Sequence, residues 1–377
     1  MYLESLHLVN FKNYIDAEVL LSNRINCFVG INGVGKTNIL DAVHYLSVCK
    51  SYMNSIDRQN IRFEQSFFVI QGVWSKNKKK IDINCAVKVG AKKVFRKNKK
   101  EYEKLANHIG QFPAVMISPY DRDLILEGSN LRRKWMDGII SQFDRNYLEA
   151  LQRYSKVLAQ RNAVLKDMNI NRLFDQESID IWDVELVRLG NQIYEKRKVF
   201  LEEFIPVFQK HYDSIGSEKE NVRIIYKSQL NENTFEDLLL EFQKKDLITS
   251  FSNAGVHKDD LLFQIKNHPV KKFGSQGQQK SFIIALRLAQ YEWLKTHLGV
   301  PPILLLDDIF DKLDQSRVKK LINLVANNFF GQVLVTDTDL ERIQDIFSKS
   351  SLDSRIFLVA DGKITKYQEE RAVHEKK

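Results

Sequence analysis

The chain has 377 residues, 44% of them hydrophobic, and a formal net charge of +9; that is enough for a proper core in one large domain or two ordinary ones, and the basic surplus permits a polyanionic partner without demanding one. Its three cysteines, Cys27, Cys49 and Cys85, are scattered with no Cys-x-x-Cys pair, which argues against a zinc site or a disulfide framework and for a reducing, cytoplasmic setting. Met1-Tyr2-Leu3-Glu4 lacks the basic start and apolar core of a signal peptide, and the longest strongly apolar run, Pro301 to Leu306, is far too short to cross a membrane.

Leu3 to Asn10 alternates apolar and polar residues in a weak strand pattern. A polar turn, Asn10-Phe11-Lys12-Asn13-Tyr14, leads to a second strand, Ala17 to Leu21. The short apolar run before Gly30 suits a buried strand, and Ile39, Leu40, Val43 and Leu46 fall on one helical face. Between them stands Gly30-Ile31-Asn32-Gly33-Val34-Gly35-Lys36-Thr37, the G-x-x-x-x-G-K-[ST] phosphate loop in its proper strand–loop–helix setting. Glycines let backbone N–H groups curl round an anion, and the helix N-terminus adds partial positive charge. Lys36 would reach β- and γ-phosphates, and Thr37 would ligate Mg2+. Lys12 and Asn13 could approach a nucleotide from the side, although an ordinary polar turn reads the same way.

Phe67 to Trp74, Lys80 to Val89 and Lys92 to Phe95 read as antiparallel strands joined by turns at 75–79 and 90–91. Asp82 is the only acid between Lys76 and Lys100 in this lysine-rich stretch, which includes Lys78, Lys79 and Lys80. It is either a solvated edge that resists aggregation or a surface for nucleic-acid phosphates. Ala114 to Pro119 is a further strand, with Arg132-Arg133-Lys134 just beyond it. Two long helices follow, with stripes at Leu148, Leu151, Tyr154, Leu158 and Leu165 and at Trp182, Leu186, Leu189, Ile193, Phe200 and Phe204. Polar residues from Asp167 to Ser178 separate them, so a helical hairpin is expected, without sustained heptads. A short strand at Val222 to Tyr226 and an amphipathic helix at Thr234 to Lys244 lead to a polar loop, Ala254 to Asp260, in which His257 is expected to be solvated.

Ser275-Gln276-Gly277-Gln278 opens a helix whose stripe is Phe282, Ala285, Leu286, Ala289 and Trp293. Ser275 suits the N-cap, so this is a second anion-binding helix start. Two such sites in one chain invite a sandwich, with the second facing another subunit's nucleotide. Ile303 to Asp308 is an apolar strand ending in two carboxylates, the Walker B pattern. Asp307 can hold Mg2+, and Asp308 can orient or deprotonate an attacking water. Lys312-Leu313-Asp314 precedes a helix from Ser316; Gln332 to Asp337 is a buried strand; 354–359 and 363–367 form a hairpin at Asp361-Gly362; Ala372 to Lys377 is a polar tail.

The P-loop, the Ser-Gln-Gly-Gln helix start, the Asp-Asp strand end and the following Leu-Asp resemble ABC-type ATPase heads, with Ser275 to Gln278 where the Leu-Ser-Gly-Gly-Gln signature lies. Over essentially the whole chain the pattern is most similar to the RecF family of bacterial recombinational-repair ATPases. The residues that carry this are Asn10 to Tyr14, Arg132-Arg133, Tyr154 to Asn162, Gly255-Val256-His257-Lys258-Asp259-Asp260-Leu261 and Gly274 to Lys280. The resemblance implies an α/β fold, an SMC-like ABC-type ATPase head with a P-loop core and an antiparallel β lobe (1–120 and 251–377), carrying an inserted helical arm (121–250). It implies ATP held by Gly30, Ile31, Asn32, Gly33, Val34, Gly35, Lys36, Thr37 and Asn38 with Lys12 and Asn13, Mg2+ at Thr37 and Asp307, and catalysis by Asp308 and Lys36. An ATP-dependent homodimer would bring Ser275, Gln276, Gly277 and Gln278 to the partner's nucleotide. Implied partners are double-stranded and gapped DNA, RecO and RecR, in loading RecA, with slow ATP hydrolysis as a switch and no membrane. Lys78, Lys79, Lys80, Arg132 and Arg133 are the candidate DNA contacts. The chain departs from the pattern in three places: Tyr120 occupies the region of the ABC Q-loop glutamine, Asp337 lies near the place of the switch histidine, and Val256 replaces a proline. The alternative is the ATPase subunit of a membrane transporter, against which the lysine-rich hairpin and the long arm both argue.

Overall fold

The computed structural model describes residues 1–216, 220–310, 317, 318, 320, 324, 329–348 and 353–367. Lys312-Leu313-Asp314, the start of the helix expected from Ser316, and the tail from Ala372 lie outside the described residues. Contacts divide the chain into two compact units, Met1–Tyr120 with the described part of Leu294–Lys377, and Asp121–Trp293.

The first unit opens with β1 (Tyr2–Phe11), β2 (Tyr14–Leu20), β3 (Ile25–Val29), α1 (Lys36–Val48), β4 (Phe67–Lys76), β5 (Lys79–Lys88), β6 (Val94–Lys97), β7 (Lys100–Glu101) and β8 (Ala114–Ile117). The second unit holds α2 (Asp123–Leu126), α3 (Ser129–Phe143), α4 (Arg145–Asn171), α5 (Gln176–Ile215), β9 (Val222–Lys227), α6 (Phe235–Thr249), β10 (Asp260–Ile265), β11 (His268–Pro269), α7 (Val270–Phe273) and most of α8 (Gln276–Leu298). The chain then returns to the first unit through β12 (Ile303–Asp307), β13 (Val333–Asp337), α9 (Leu340–Ser348), β14 (Ser354–Ala360) and β15 (Lys363–Lys366).

Two six-stranded sheets build the first unit, in the orders β2-β1-β4-β5-β6-β7 and β15-β14-β3-β13-β12-β8. The first is antiparallel throughout; in the second, β14, β3, β13, β12 and β8 run parallel. Every residue of β3, β8, β12 and β13 is buried, as a sheet covered on both faces requires, and this explains their unbroken apolar runs. Helix α1 contributes Ile39, Leu40, Val43 and Leu46 to one core with Phe11, Phe68, Ile70 and Trp74 of the antiparallel sheet and Phe28, Leu305 and Leu334 of the parallel one. At about 1.5–3 kcal/mol for each fully buried large side chain, this core dominates the unit's stability.

The lysine-rich strands turn more tightly than the sequence suggests. The β4–β5 ladder runs to Lys76 opposite Lys79, leaving a two-residue turn at Asn77 and Lys78, whose φ angles are 53° and 61°. A second such turn lies at Asn98 and Lys99 (φ 49° and 68°), and the third strand is Val94–Lys97 rather than 92–95. Paired positive φ values match the twist of a hairpin, and asparagine adopts them at low cost.

In the second unit α4 and α5 are joined by 172–175, and Asp144 and Asp175 cap them through their carboxylates. The interior is unusually ionic. Arg161, 1% exposed, meets Asp183 and Asp246; Arg197, 2% exposed, meets Asp137 and Asp259. Pairing with opposite charge is what makes these buried charges tolerable. His257 departs from its expected solvation: it lies between Tyr154 Oη (2.8 Å) and the Ser252 carbonyl (3.0 Å), and burial pushes its pKa down to about 4. By contacts, 251–293 groups with 121–250 in the second compact unit. Strand β10 pairs along its length with β9, and the α8 residue Phe282 packs on Phe208 and Phe263 while Trp293 packs on Phe143 and Phe200.

Candidate functional site

Strand register assembles the site. In the order β3-β13-β12-β8, Val29 lies beside Asp337, Thr336 beside Asp307, and Leu306 beside Ile117. The phosphate loop, Thr336, Asp307 and Ser118 therefore emerge in one row at the carboxyl ends of parallel strands, where open α/β sheets bind ligands. A pocket there is lined by Asn32, Gly33, Gly35, Lys36, Thr37, Asn38, Asp308 and Thr336.

The loop is preformed. Lys36 Nζ donates to the carbonyls of Gly30 (2.7 Å) and Ile31 (2.9 Å), arching the chain between them. Gly35 has φ 107°, and a Cβ there would stand 2.3 Å from Asn13 Nδ2; only glycine meets both demands. Asn13 lies against the loop, donating to Val34 O (2.8 Å) and accepting from Asn38 Nδ2 (2.7 Å), while Tyr14 Oη donates to Gly35 O (3.0 Å). Asn13 thus braces the loop's backbone. Lys12, expected at the side of the nucleotide, is instead paired with buried Asp41 (2.6 Å), which also accepts from Ser51 Oγ and Tyr52 N. Asp41 lies one helical turn inside α1, and satisfying its buried carboxylate takes up the Lys12 amine.

Asp307 is 2% exposed. Its Oδ1 accepts from Thr37 Oγ1 (2.7 Å) and Thr336 Oγ1 (2.9 Å), and its Oδ2 from Ser118 Oγ (3.3 Å). Burial raises its pKa, and those three hydroxyls and the Lys36 charge oppose the rise. Asp308 has φ 47°, and its N–H donates to Thr336 Oγ1 (2.9 Å). Thr336 thereby holds both carboxylate residues at the strand end. Burial lowers the Lys36 pKa, countered by Asp308, Asp307 and Asp337. Asp337 accepts from Arg342 Nη2 (2.6 Å) and from Asp339 N (2.8 Å), and its buried Oδ2 has no hydrogen-bond partner among the described residues. Three carboxylates around one lysine leave a negative excess that suits a divalent cation. Among the described residues no group of three His, Cys, Asp or Glu side chains can hold a metal alone, so phosphate oxygens and waters would have to complete an octahedral Mg2+ shell. The donor set fits: a threonine hydroxyl that donates to Asp307 turns its lone pairs elsewhere. Ser118, Thr336 and Asn13's bracing role were hidden in the sequence; each depends on strand register or long-range contact.

The signature lies in the second unit. Ser275 Oγ accepts from Gln278 N (3.2 Å) and Gln278 Oε1 accepts from Ser275 N (2.7 Å), a reciprocal capping box at the start of α8. Ser275 and Gln276 are exposed.

The candidate nucleic-acid residues divide. Lys78, Lys79, Lys80, Lys88, Lys92, Arg96, Lys99 and Lys100 are exposed. Lys76 and Lys97 bond to Gln111 and stand over Phe112, and Lys93 meets Cys49 O and Asp57. Arg132 is held by Asp260 through two bonds (2.7 and 3.0 Å) and by the Leu124 and Glu127 carbonyls, and Arg133 bonds to Asp259 O. Arg132 and Arg133, the other candidate DNA contacts, are thus half-buried, with guanidinium groups that already bond within the arm.

A family model described as "RecF/RecN/SMC N terminal domain" matches residues 2–357. The DNA replication and repair protein RecF of Flavobacterium johnsoniae is 49% identical over 357 residues, covering 95% of this chain and 99% of the relative. That of Phocaeicola vulgatus is 46% identical over 371 residues, covering 98% and 99%. A solved structure of the recombination mediator protein RecF with ATP, in the RecFOR pathway, superposes with a TM-score of 0.88 at 27% identity, covering 97% of this chain and 98% of that one. An Smc head bound to the C-terminal winged-helix domain of ScpA gives a TM-score of 0.57 at 16% identity over 99% of each chain, a likeness of fold alone.

Proposed function

The chain belongs to the RecF/RecN/SMC family, in its RecF branch with an ABC-type ATPase head, and from that premise we propose that it is an ATP-dependent DNA-binding protein of recombinational repair and replication-fork maintenance. The observation that carries the reading is the Thr37–Asp307 hydroxyl–carboxylate bond at 2.7 Å, which brings the P-loop and Walker B residues of remote segments to one point. Bound ATP with Mg2+ supplies the phosphoanhydride and the Lewis acid. Lys36, released from the Gly30 and Ile31 carbonyls, neutralises β- and γ-phosphate charge. Thr37 and Asp307 hold the cation's side of the pocket, and Asp308 orients the attacking water or takes its proton. Ser275 to Gln278 present a hydroxyl and helix-start N–H groups to the nucleotide of a second copy, so ATP joins two chains and its slow hydrolysis parts them. The exposed lysines of β5 to β7 contact the phosphates of double-stranded or gapped DNA, and the closed dimer acts with RecO and RecR to load RecA.

The relatives' near-complete coverage supports this reading over a transporter subunit. The test is an electrophoretic shift of gapped duplex DNA with and without ATP and Mg2+. ATP-dependent retention is the expected result. A transporter subunit would retain no DNA in either condition, and a passive DNA-binding module would retain it equally in both.

A further inference from the structure

The signature does not stand alone on its helix. Gln278 uses both ends of its carboxamide: Oε1 accepts from Ser275 N, and Nε2 donates to Glu220 Oε1 at 2.6 Å. The opposite amide orientation would set NH2 against N–H and oxygen against carboxylate, so the network admits one orientation. Glu220, whose side chain is 10% exposed, accepts through Oε2 from Tyr212 Oη at 2.8 Å, and Lys266 Nζ lies 3.8 Å from Oε1. Tyr212 is fully buried in the last turn of the long arm helix α5. A chain of bonds thus runs from the arm's core through Glu220 and Gln278 to an exposed serine. Because Ser275 Oγ accepts from Gln278 N, its own hydrogen is left to donate outward, toward an anion.

We propose that Glu220 is a positioning residue for the signature: it locks the Gln278 carboxamide, which in turn sets the Ser275 hydroxyl and the first-turn N–H groups in the orientation that receives the γ-phosphate held by a second copy. The inference rests on the proposed ATP sandwich. It adds a residue outside the signature and ties the sandwich to the arm, so that a load on α5 reaches the trans-phosphate contact through Tyr212 and Glu220. A charge-assisted bond is the stronger kind, and its loss leaves the amide to rotate.

The test compares wild type, Glu220→Ala, Glu220→Gln, Gln278→Ala, the Glu220→Ala/Gln278→Ala double variant and Ser275→Arg, by ATP-dependent dimerisation in sedimentation velocity and by monomer affinity for a fluorescent ATP analogue. Glu220→Ala is expected to weaken the dimer about tenfold or more, the size of one lost charge-assisted bond, with monomer nucleotide affinity unchanged. Glu220→Gln, which still offers an oxygen to Gln278 Nε2, should recover most of the loss. The double variant should be no weaker than Gln278→Ala, since both changes break one link. If Ser275→Arg abolishes the dimer while Glu220→Ala dimerises like wild type, or if the double variant's losses add, Glu220 does not position the signature and the sandwich reading survives. If Ser275→Arg dimerises normally, the sandwich reading fails and this inference fails with it.

Discussion

Asp308→Asn separates binding from hydrolysis at the candidate site. The position is well suited to the change. Asp308 sits at φ 47° with its N–H on Thr336 Oγ1, and asparagine tolerates that left-handed backbone as well as aspartate does. The strand end, Asp307 and Thr37 should keep their places. The change removes one of the three carboxylates acting on Lys36 and a like charge from beside a bound triphosphate, so ATP affinity should hold or rise slightly. Hydrolysis loses its base: a positioned proton acceptor contributes roughly 10²–10⁴ in rate. Single-turnover hydrolysis of radiolabelled ATP, alongside fluorescent-analogue titration, reads both quantities. The expected pattern is a rate at least about a hundredfold lower with unchanged or tighter binding, and an ATP-bound dimer that accumulates. Turnover within about twofold of wild type would move the catalytic role elsewhere. A parallel loss of affinity would show that Asp308 holds the nucleotide instead.

Changing Lys78, Lys79 and Lys80 to Glu should weaken duplex binding and flatten its salt dependence, because each lost phosphate contact removes a slope of about 0.9 in log affinity against log salt; Lys36 and nucleotide affinity should be untouched, and wild-type binding across a salt series would place the DNA contact elsewhere. Acid should destabilise the fold through His108, which is 0% exposed, bonded to Leu46 O and held by burial at a pKa of about 4. The unfolded chain takes up that proton near pH 6.5 while the folded one refuses it until about 4, so stability falls as pH drops through this window, at about 1.4 kcal/mol per unit, and is unaffected above it. Denaturant melts of wild type and His108→Gln at pH 7 and pH 5 check this; an equal drop in both would exonerate His108.

The parts of the molecule that were legible in the sequence are those written in consecutive residues. Gly30 to Thr37 between an apolar run and a helical stripe, the Ile303 to Asp307 run, and the two helices of the arm carry their own periodicity and appear as elements, although along α4 the buried face runs through Tyr147, Ala150, Tyr154, Leu165 and Met168 while Leu148, Leu151 and Leu158 are half-buried. What stayed hidden is set by register and distance. Ser118 and Thr336 reach Asp307 only because β8 and β13 flank β12, and nothing in a hydroxyl's local sequence announces that. Lys12 looks available beside a phosphate loop until Asp41, 29 positions away, claims it. Arg132 and Arg133 look like a cationic patch until Asp259 and Asp260 fold against them. His257 looks like a loop residue, yet Tyr154 and Ser252 enclose it. A charged residue's sequence neighbours report its solvent exposure poorly when its partner lies on another element.

Sedimentation velocity of the wild-type chain and of Lys36→Ala, each with and without ATP and Mg2+, tests the central claim that nucleotide at the P-loop joins two copies of this chain. The account predicts a monomer without nucleotide, a dimer with it, and a Lys36→Ala chain that remains monomeric in both conditions, since the loop loses its one point charge on the β- and γ-phosphates. A wild-type chain that stays monomeric with saturating ATP, or a Lys36→Ala chain that dimerises as readily, would contradict it.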